Sequence, residues 1–201
     1  CDFVPLVESS TTAEILTSNP WTGLDSVRMR QGTWSRSLGR AEQIWEEIQA
    51  GVRPAEEADE YLDRLVQMIV SRDDRVRQLA KRHFTLGDVL QISRRMIGTG
   101  LIGGKSVGML LARAILTRSN PRWQDVLEAH DSFYVGSDVF YSYLVENGCW
   151  WLRQKQRDPA TFLDGVEEAR RRILSGSFPD YIEKEFAEML DYFGQSPIIV
   201  R

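Results

Sequence analysis

The stretch MIGTGLIGGKSVGMLLARAIL, residues 96–116, has four glycines within residues 98–104, then a lysine, then a regularly spaced set of apolar residues. Glycines allow a backbone to approach an anion closely, and the N-terminus of a helix offers free N–H groups to it. The apolar spacing i, i+3, i+4, i+7, i+8 is typical of a buried helical face. Its members are Val107, Leu110, Leu111, Ala114 and Ile115. The pattern indicates a loop and helix of the kind that bind phosphate, and three signatures compete for it.

The first signature is the dinucleotide fingerprint GxGxxG, which Gly98, Gly100 and Gly103 satisfy. That fingerprint needs a strand before the glycines, a helix after them and an acidic residue about 20 positions later. The preceding segment DVLQISRRMI is more helical than extended, so we expect no strand there. Asp125 has about the right separation but follows no predicted strand. These two departures disfavour a dinucleotide site.

The second signature is the P-loop, GxxxxGK[ST], whose end is supplied by Gly104, Lys105 and Ser106. Its first glycine would fall at position 99, where the chain has Thr99, and Gly98 misses by one residue. The length of this loop is fixed because successive amides must converge on one phosphate. No strand is predicted before it, and a P-loop is therefore also disfavoured.

The third interpretation keeps only Gly103, Gly104, Lys105 and the helix that follows. The lysine adds a mobile point charge for a phosphate oxygen. We expect Ser106 to be the N-cap of the helix rather than a magnesium ligand. A plain glycine turn between two helices, with a lysine in solvent, fits the spacing equally well. The residues alone leave these two possibilities open.

Helical patterns dominate the rest of the first half. Residues 1–39 show no sustained periodicity, and RQGTWSRSLG is turn-like. A helix follows whose apolar residues are Ala41, Ile44, Trp45 and Ile48, with Gly51 just beyond its end. The next helix is predicted to begin at Pro54 and to end or kink within the charged run at 71–83. Its inner stripe comprises Leu62, Leu65, Val66 and Ile69. Thr85 and Asp88 predict a capping box at the start of another helix.

The second half predicts a short strand in SFYVG (132–136), then a helix capped by Ser137 or Asp138 that ends at Asn147–Gly148. Amphipathic helices are predicted over 159–174 and over FPDYIEKEFAEMLDYFG (178–194). The last residues, PIIVR (197–201), predict a buried strand. Because such a strand needs a neighbour, and because the first residue is not Met, we expect the chain to be a piece of a longer polypeptide.

Composition limits the classes of function. The chain has 201 residues, 42% of them apolar, and a net charge of −4. This acidic balance argues against a general nucleic-acid partner. No apolar run approaches the roughly 18 residues of a membrane span, and no export signal is evident, so we predict a cytoplasmic protein with no membrane partner. Cys1, Cys149, His83 and His130 form no metal-ligand spacing, which disfavours a structural zinc site.

Three segments together resemble a known family. LIGGKSVGMLLARAIL (101–116) resembles the opening GGK-plus-helix motif of phosphoenolpyruvate synthase and pyruvate phosphate dikinase. DSFYVGSDVFYSYLVENG (131–148) looks like the next unit of that family, although Asp131–Ser132 replaces its usual proline-glycine. SPIIVR (196–201) is similar to the start of its VRSS strand. The order and approximate spacing agree over residues 97–201.

The resemblance implies an α+β fold, mostly helical in this portion, in which residues 85–201 form the N-terminal portion of an ATP-grasp-like nucleotide-binding domain. Residues 1–84 would be a helical N-terminal extension. By resemblance, Lys105 and Arg201 contact the phosphates of ATP. We expect Lys105 and the backbone of Gly103 and Gly104 to be the main phosphate contacts, and Arg201 the next. A lysine on a glycine loop and a guanidinium at a strand end suit the charge of a transferred phosphoryl group.

The same family passes a phosphoryl group from ATP to a histidine on another domain and then to an acceptor such as pyruvate. Neither His83 nor His130 resembles that carrier, so the carrier and acceptor domains are expected elsewhere in the full-length protein. The carboxylates that hold Mg²⁺ are likewise expected after Arg201, and the chain alone is not expected to be catalytic. Two alternatives are a helical regulatory or interaction module and a nucleotide sensor that transfers no phosphoryl group.

Overall fold

The computed structural model describes residues 32–128 and 131–200, and most of these residues are helical. The mostly helical character predicted from the sequence is therefore confirmed. The chain divides into two compact units, Cys1–Gly39 and Arg40–Arg201. Every contact described below lies within the second unit.

The helices are short, and two very short strands stand among them. The helices are α1 Thr33–Gln49, α2 Ala58–Leu65, α3 Asp74–His83, α4 Leu86–Arg94, α5 Gly104–Ser119, α6 Arg122–Val126, α7 Ser137–Glu146, α8 Trp151–Lys155, α9 Val166–Ser175 and α10 Asp180–Phe193. The strands are β1 Met96–Ile97 and β2 Tyr134–Val135. A 3₁₀ turn, Ala55–Glu57, precedes α2, and a π-helical turn, Val66–Val70, continues it.

The boundaries of α1 differ from the prediction at one end only. The helix begins at Thr33, so the prediction of turns through residue 39 is wrong for residues 33–39. Polar residues and Gly39 hide its start, because they carry no apolar periodicity. Its other end is as predicted, since Gly51 follows with a φ of 73°.

A first apolar core joins α1, α2 and α4. The predicted stripe is confirmed, since Leu62, Leu65, Val66 and Ile69 are all buried. The helix then stops at Ser71, and the side chain of Asp73 caps α3 by accepting hydrogen bonds from two backbone N–H groups. The capping box of Thr85 and Asp88 at the start of α4 is also confirmed. These helices pack in two pairs, α2 on α4 and α3 on α5.

A second apolar core lies where β1, α7 and α10 meet. Its buried centre consists of Ile97, Val139 and Ile182, and aromatic residues such as Phe133 and Phe186 pack around it. Each of these three buried residues belongs to a different element of the chain. The cluster therefore fixes β1 against two helices that are remote in sequence.

Two predictions near the C-terminus are wrong: where one helix begins, and that the last residues form a strand. The helix predicted over 159–174 begins only at Val166, because residues before it form turns and Gly165 has a φ of 74°. Residues 197–200 form no strand, and Ile199 and Val200 are 79% and 93% exposed. An extended segment becomes a strand only when a neighbouring strand forms backbone hydrogen bonds with it, and the described residues provide no such strand here. Arg201 lies outside the described residues.

An ion-pair cluster links α2 to α3. The carboxylate of Asp63 lies 3.0 Å from the guanidinium of Arg77 and 3.2 Å from the ammonium of Lys81. Burial alone would raise the pKa of Asp63, but hydrogen bonds from Arg77 and Lys81 outweigh it and lower that pKa. Because the folded pKa is depressed, the stabilisation is present above the unfolded pKa and is lost as the pH falls through the folded pKa.

We expect Asp63→Asn to lower the free energy of unfolding by about 0.5–1 kcal/mol at pH 7, the range for a partly exposed ion pair. The difference from the parent should shrink as the pH falls below about 4, the ordinary pKa of an aspartate, and should disappear below the lowered pKa of Asp63 in the folded parent. Urea unfolding at pH 7 and pH 3 measures both effects. Glu46→Gln, at an exposed site on α1, is the control and should change stability little at either pH. A pH-independent effect of Asp63→Asn would contradict the ion-pair explanation.

Candidate phosphate-binding site

The glycine loop, defined as residues 98–103, runs from β1 to α5 beside a second strand-to-helix connection. The two strands are parallel, with Met96 opposite Tyr134 and Ile97 opposite Val135. Their carboxyl ends therefore open at the same edge, where α5 and α7 begin. The prediction that no strand precedes the glycines is wrong. A two-residue strand held by a distant partner leaves no periodicity for sequence analysis to detect.

The first half of the loop is held by two carboxylates. The N–H of Thr99 donates to Asp138 Oδ1 at 2.6 Å, and its hydroxyl donates to Asp138 Oδ2 at 2.9 Å. The N–H of Gly98 donates to Glu185 Oε2 at 2.6 Å. Gly98 and Gly100 have φ values of 69° and 87°, a backbone region that favours glycine. Two consecutive amides thus point at negatively charged groups of the protein itself.

The start of α7 adds a second set of contacts to the loop. The Oγ of Ser137 accepts from the N–H of Leu101 at 3.0 Å, and the N–H of Ser137 donates to the carbonyl of Leu101 at 2.9 Å. The predicted cap is therefore wrong. Gly136 is the N-cap of α7, while Ser137 and Asp138 turn their side chains to the loop. A distant backbone competes successfully for the polar groups that usually cap their own helix.

The far end of the loop is anchored on the first core. The N–H of Ile102 donates to the carbonyl of Ile69 at 2.9 Å. Ile69 lies in the π-helical turn that continues α2. Carbonyl groups in the last turn of a helix have no N–H donor within the helix, so that of Ile69 can accept from the loop. Ile102 itself is buried. The loop is thus tied at both ends to different parts of the structure.

The second half of the site is open. Gly103 is the N-cap of α5, and Gly103, Gly104 and Lys105 are all exposed. Within the described residues, no hydrogen bond engages the N–H groups of Gly104, Lys105 and Ser106, whereas Val107 already donates to Gly103. The prediction that Ser106 caps the helix is wrong, since it is the third helical residue. Glycine with an extended backbone can serve as a cap by itself.

These contacts decide among the three signatures. A pyrophosphate bound in the dinucleotide or P-loop manner would need the amides of residues 98–102. Those of Gly98, Thr99, Leu101 and Ile102 already have protein acceptors, two of which are carboxylates that would repel a phosphate. Among the described residues 98–106, the N–H groups without a protein acceptor include those of the first turn of α5, where Lys105 adds a cation. The geometry therefore argues against the first two signatures and leaves open the third interpretation and the plain glycine turn.

The structure tests the predicted site residues unequally. It brings Gly103, Gly104 and Lys105 together at one exposed helix end. The proximity of Arg201 to Lys105 stays a prediction, because Arg201 lies outside the described residues. Sequence reasoning missed the loop-holding roles of Asp138 and Glu185. Asp138 was assigned to a cap, and Glu185 stands 87 residues from its partner, where no local signal exists.

Comparison with known proteins identifies no relative: no protein-family model, curated protein or solved structure matches this chain. Among the described residues, no group of three His, Cys, Asp or Glu side chains has a metal-binding arrangement. None of the described helices combines the length and apolarity that crossing a bilayer requires.

Gly136 allows the close approach of the glycine loop to β2 and α7. A Cβ at this position would overlap the carbonyl oxygen of Thr99 and lie 2.7 Å from its carbonyl carbon, and neither atom can move without displacing the loop. We expect Gly136→Ala to lower the unfolding free energy by at least about 2 kcal/mol. Gly108→Ala is the control, because its added methyl meets no atom within 4 Å. This control should raise stability by about 0.5–1 kcal/mol, since Gly108 lies inside α5. Similar losses in both variants, measured by urea unfolding, would refute the close approach.

Asp138 should also determine the protection of the loop amides. We expect Asp138→Ala to cost about 1–3 kcal/mol, because it leaves partly buried donors without an acceptor. Hydrogen exchange of the Thr99 amide should accelerate in this variant, while exchange at Ile69 remains slow. Glu146→Ala removes an exposed carboxylate from the same helix and should leave Thr99 protected. Unchanged exchange at Thr99 after Asp138→Ala would contradict the proposed anchoring.

Proposed function

We propose that this chain supplies the phosphate-binding loop of an ATP-dependent phosphotransferase resembling phosphoenolpyruvate synthase and pyruvate phosphate dikinase. The observation that carries the proposal is the first turn of α5. Its three unpaired N–H groups, on Gly104, Lys105 and Ser106, lie next to the exposed side chain of Lys105. Such a helix end favours an oxyanion through both its N–H groups and its dipole.

The contacts that hold the glycine loop suit a role in phosphoryl transfer. Phosphoryl transfer depends mainly on positioning and on neutralising charge at the transferred group. The loop before α5 is held by Asp138, Ser137, Glu185 and Ile69. The N–H groups in the first turn of α5 therefore keep a fixed direction. Lys105 supplies a charge that can follow the phosphate oxygens. Under the proposal, Arg201 supplies a second cation to the same triphosphate.

The proposal does not assign Mg²⁺ to the carboxylates beside the glycine loop. Asp138 and Glu185 are the carboxylates beside the loop, and both accept hydrogen bonds from loop amides. The proposal therefore keeps the Mg²⁺ ligands outside the chain. The proposal places the carrier histidine on another domain of the same full-length protein, because neither His83 nor His130 resembles that carrier. A cytoplasmic location and the absence of a nucleic-acid partner belong to the same proposal.

The proposal predicts that Lys105→Gln weakens phosphate binding at least about tenfold, as expected for loss of one hydrogen bond to a charged group. Stability should change little, because Lys105 is exposed. The ligands are ATP and inorganic tripolyphosphate, titrated by NMR, which measures weak binding and locates it. Amide shifts should concentrate at residues 103–106.

The matched control is Lys184→Gln, at a 77% exposed lysine on α10. It removes the same charge and should leave both affinities unchanged. Equal losses in the two variants would indicate non-specific attraction and would refute the assignment. Tripolyphosphate binding without any preference for ATP would support the phosphate site but favour a general anion sensor over a nucleotide enzyme.

A further inference from the structure

An open groove lies along one side of α4 and α5, away from the free end of α5. Its volume is about 550 Å³, within the range of roughly 300–1,000 Å³ that small-molecule sites occupy. Its floor includes the buried residues Phe84, Ile92 and Tyr134, and its wall includes Leu110. The groove therefore places apolar side chains beside charged ones, in a volume that can hold a small organic molecule.

Most charges at the rim of this groove are already balanced. Arg94 lies 3.2 Å from the carboxylate of Glu42, and Arg95 lies 3.0 Å from that of Asp131. The one acidic residue of the lining, Asp88, lies 3.5 Å from Arg118. Each pair contributes little net charge to the groove.

Arg113 is different. Its Nη1 donates to the carbonyl oxygen of Glu128 at 2.7 Å, which fixes the direction of the guanidinium. Among the described residues, no carboxylate forms an ion pair with it. A guanidinium has five N–H donors arranged as a fork, so several remain for a further acceptor. The groove thus combines an apolar floor with one fixed, unbalanced cation.

We propose that this groove binds a small organic anion with a ring-sized apolar body, whose phosphate or carboxylate group pairs with Arg113. A fork of N–H groups matches either oxyanion in a bidentate manner, and the apolar body would cover Ile92 and Leu110. Arg113 follows Gly104 by nine residues, which is about 13 Å along the helix. The site is therefore separate from the first turn of α5 and independent of the function proposed above.

The test uses phenyl phosphate and benzoate as probes, with benzyl alcohol as the neutral match. NMR titration of the chain should show amide shifts at residues 91–95 and 110–117 with at least one of the two anions. Arg113→Gln should weaken that binding at least about tenfold. Arg113→Lys keeps the charge but not the fork, and should give a smaller but clear loss. Circular dichroism verifies that each variant folds.

Two further variants make the result decisive. Arg75→Gln, at an exposed arginine on α3, and Lys184→Gln, at an exposed lysine on α10, should both leave the affinity of the groove unchanged. An equal loss in Arg75→Gln, or binding of benzyl alcohol as tight as that of the anions, would overturn the proposal. Shifts confined to residues 103–106 would also overturn it while supporting the phosphate site of α5. Absence of binding by both anions would leave the phosphate site intact and refute the groove alone.

Discussion

The carboxylate of Asp138 determines the shape of the candidate site. It accepts both the backbone N–H and the hydroxyl of Thr99, and such hydrogen bonds to a charged acceptor are about twice as strong as neutral ones. The contact requires the loop to cross the start of α7 at Gly136, where no side chain would fit. With the loop fixed there and again at Ile69, the direction of α5 is determined before any ligand arrives. The exposed helix end is thus a consequence of interactions made several residues earlier.

In this loop the glycines with positive φ are not the ones beside the free N–H groups, whereas glycine-rich motifs usually combine the two properties. The glycines with positive φ, Gly98 and Gly100, shape the half of the loop that binds protein carboxylates. Gly103 and Gly104, whose φ is not positive, belong to the exposed half, at the start of α5. A fingerprint based on spacing counts both kinds alike. The distinction becomes visible only when the acceptor of each amide is known, because a loop amide can serve a ligand only if the protein leaves it unpaired.

Sequence patterns predicted the elements that local forces determine. The capping box at Thr85, the buried stripe of α2 and the helix after Gly104 all depend on residues within a few positions of one another. The errors concern contacts between distant segments: β1 exists because β2 pairs with it, and Ser137 faces Leu101 rather than its own helix. Glu185 reaches the loop from α10 without any local signal. Sequence patterns pointed to the glycines and Lys105 of the candidate site, but not to the groups that hold residues 98–102.

Neither of the two anion sites proposed on α5 depends on the overall charge of the chain. The chain carries a net charge of −4, which repels an approaching anion at long range. At physiological ionic strength this repulsion is screened beyond about 8 Å, whereas N–H groups at hydrogen-bond distance are hardly screened. Under both proposals, binding depends on local features: at one end of the helix, amides that no described residue engages, together with Lys105, and on its side Arg113, which pairs with no described carboxylate. Both require a helix that cannot rotate, and burial of Val107 and Leu111 against the core provides that constraint.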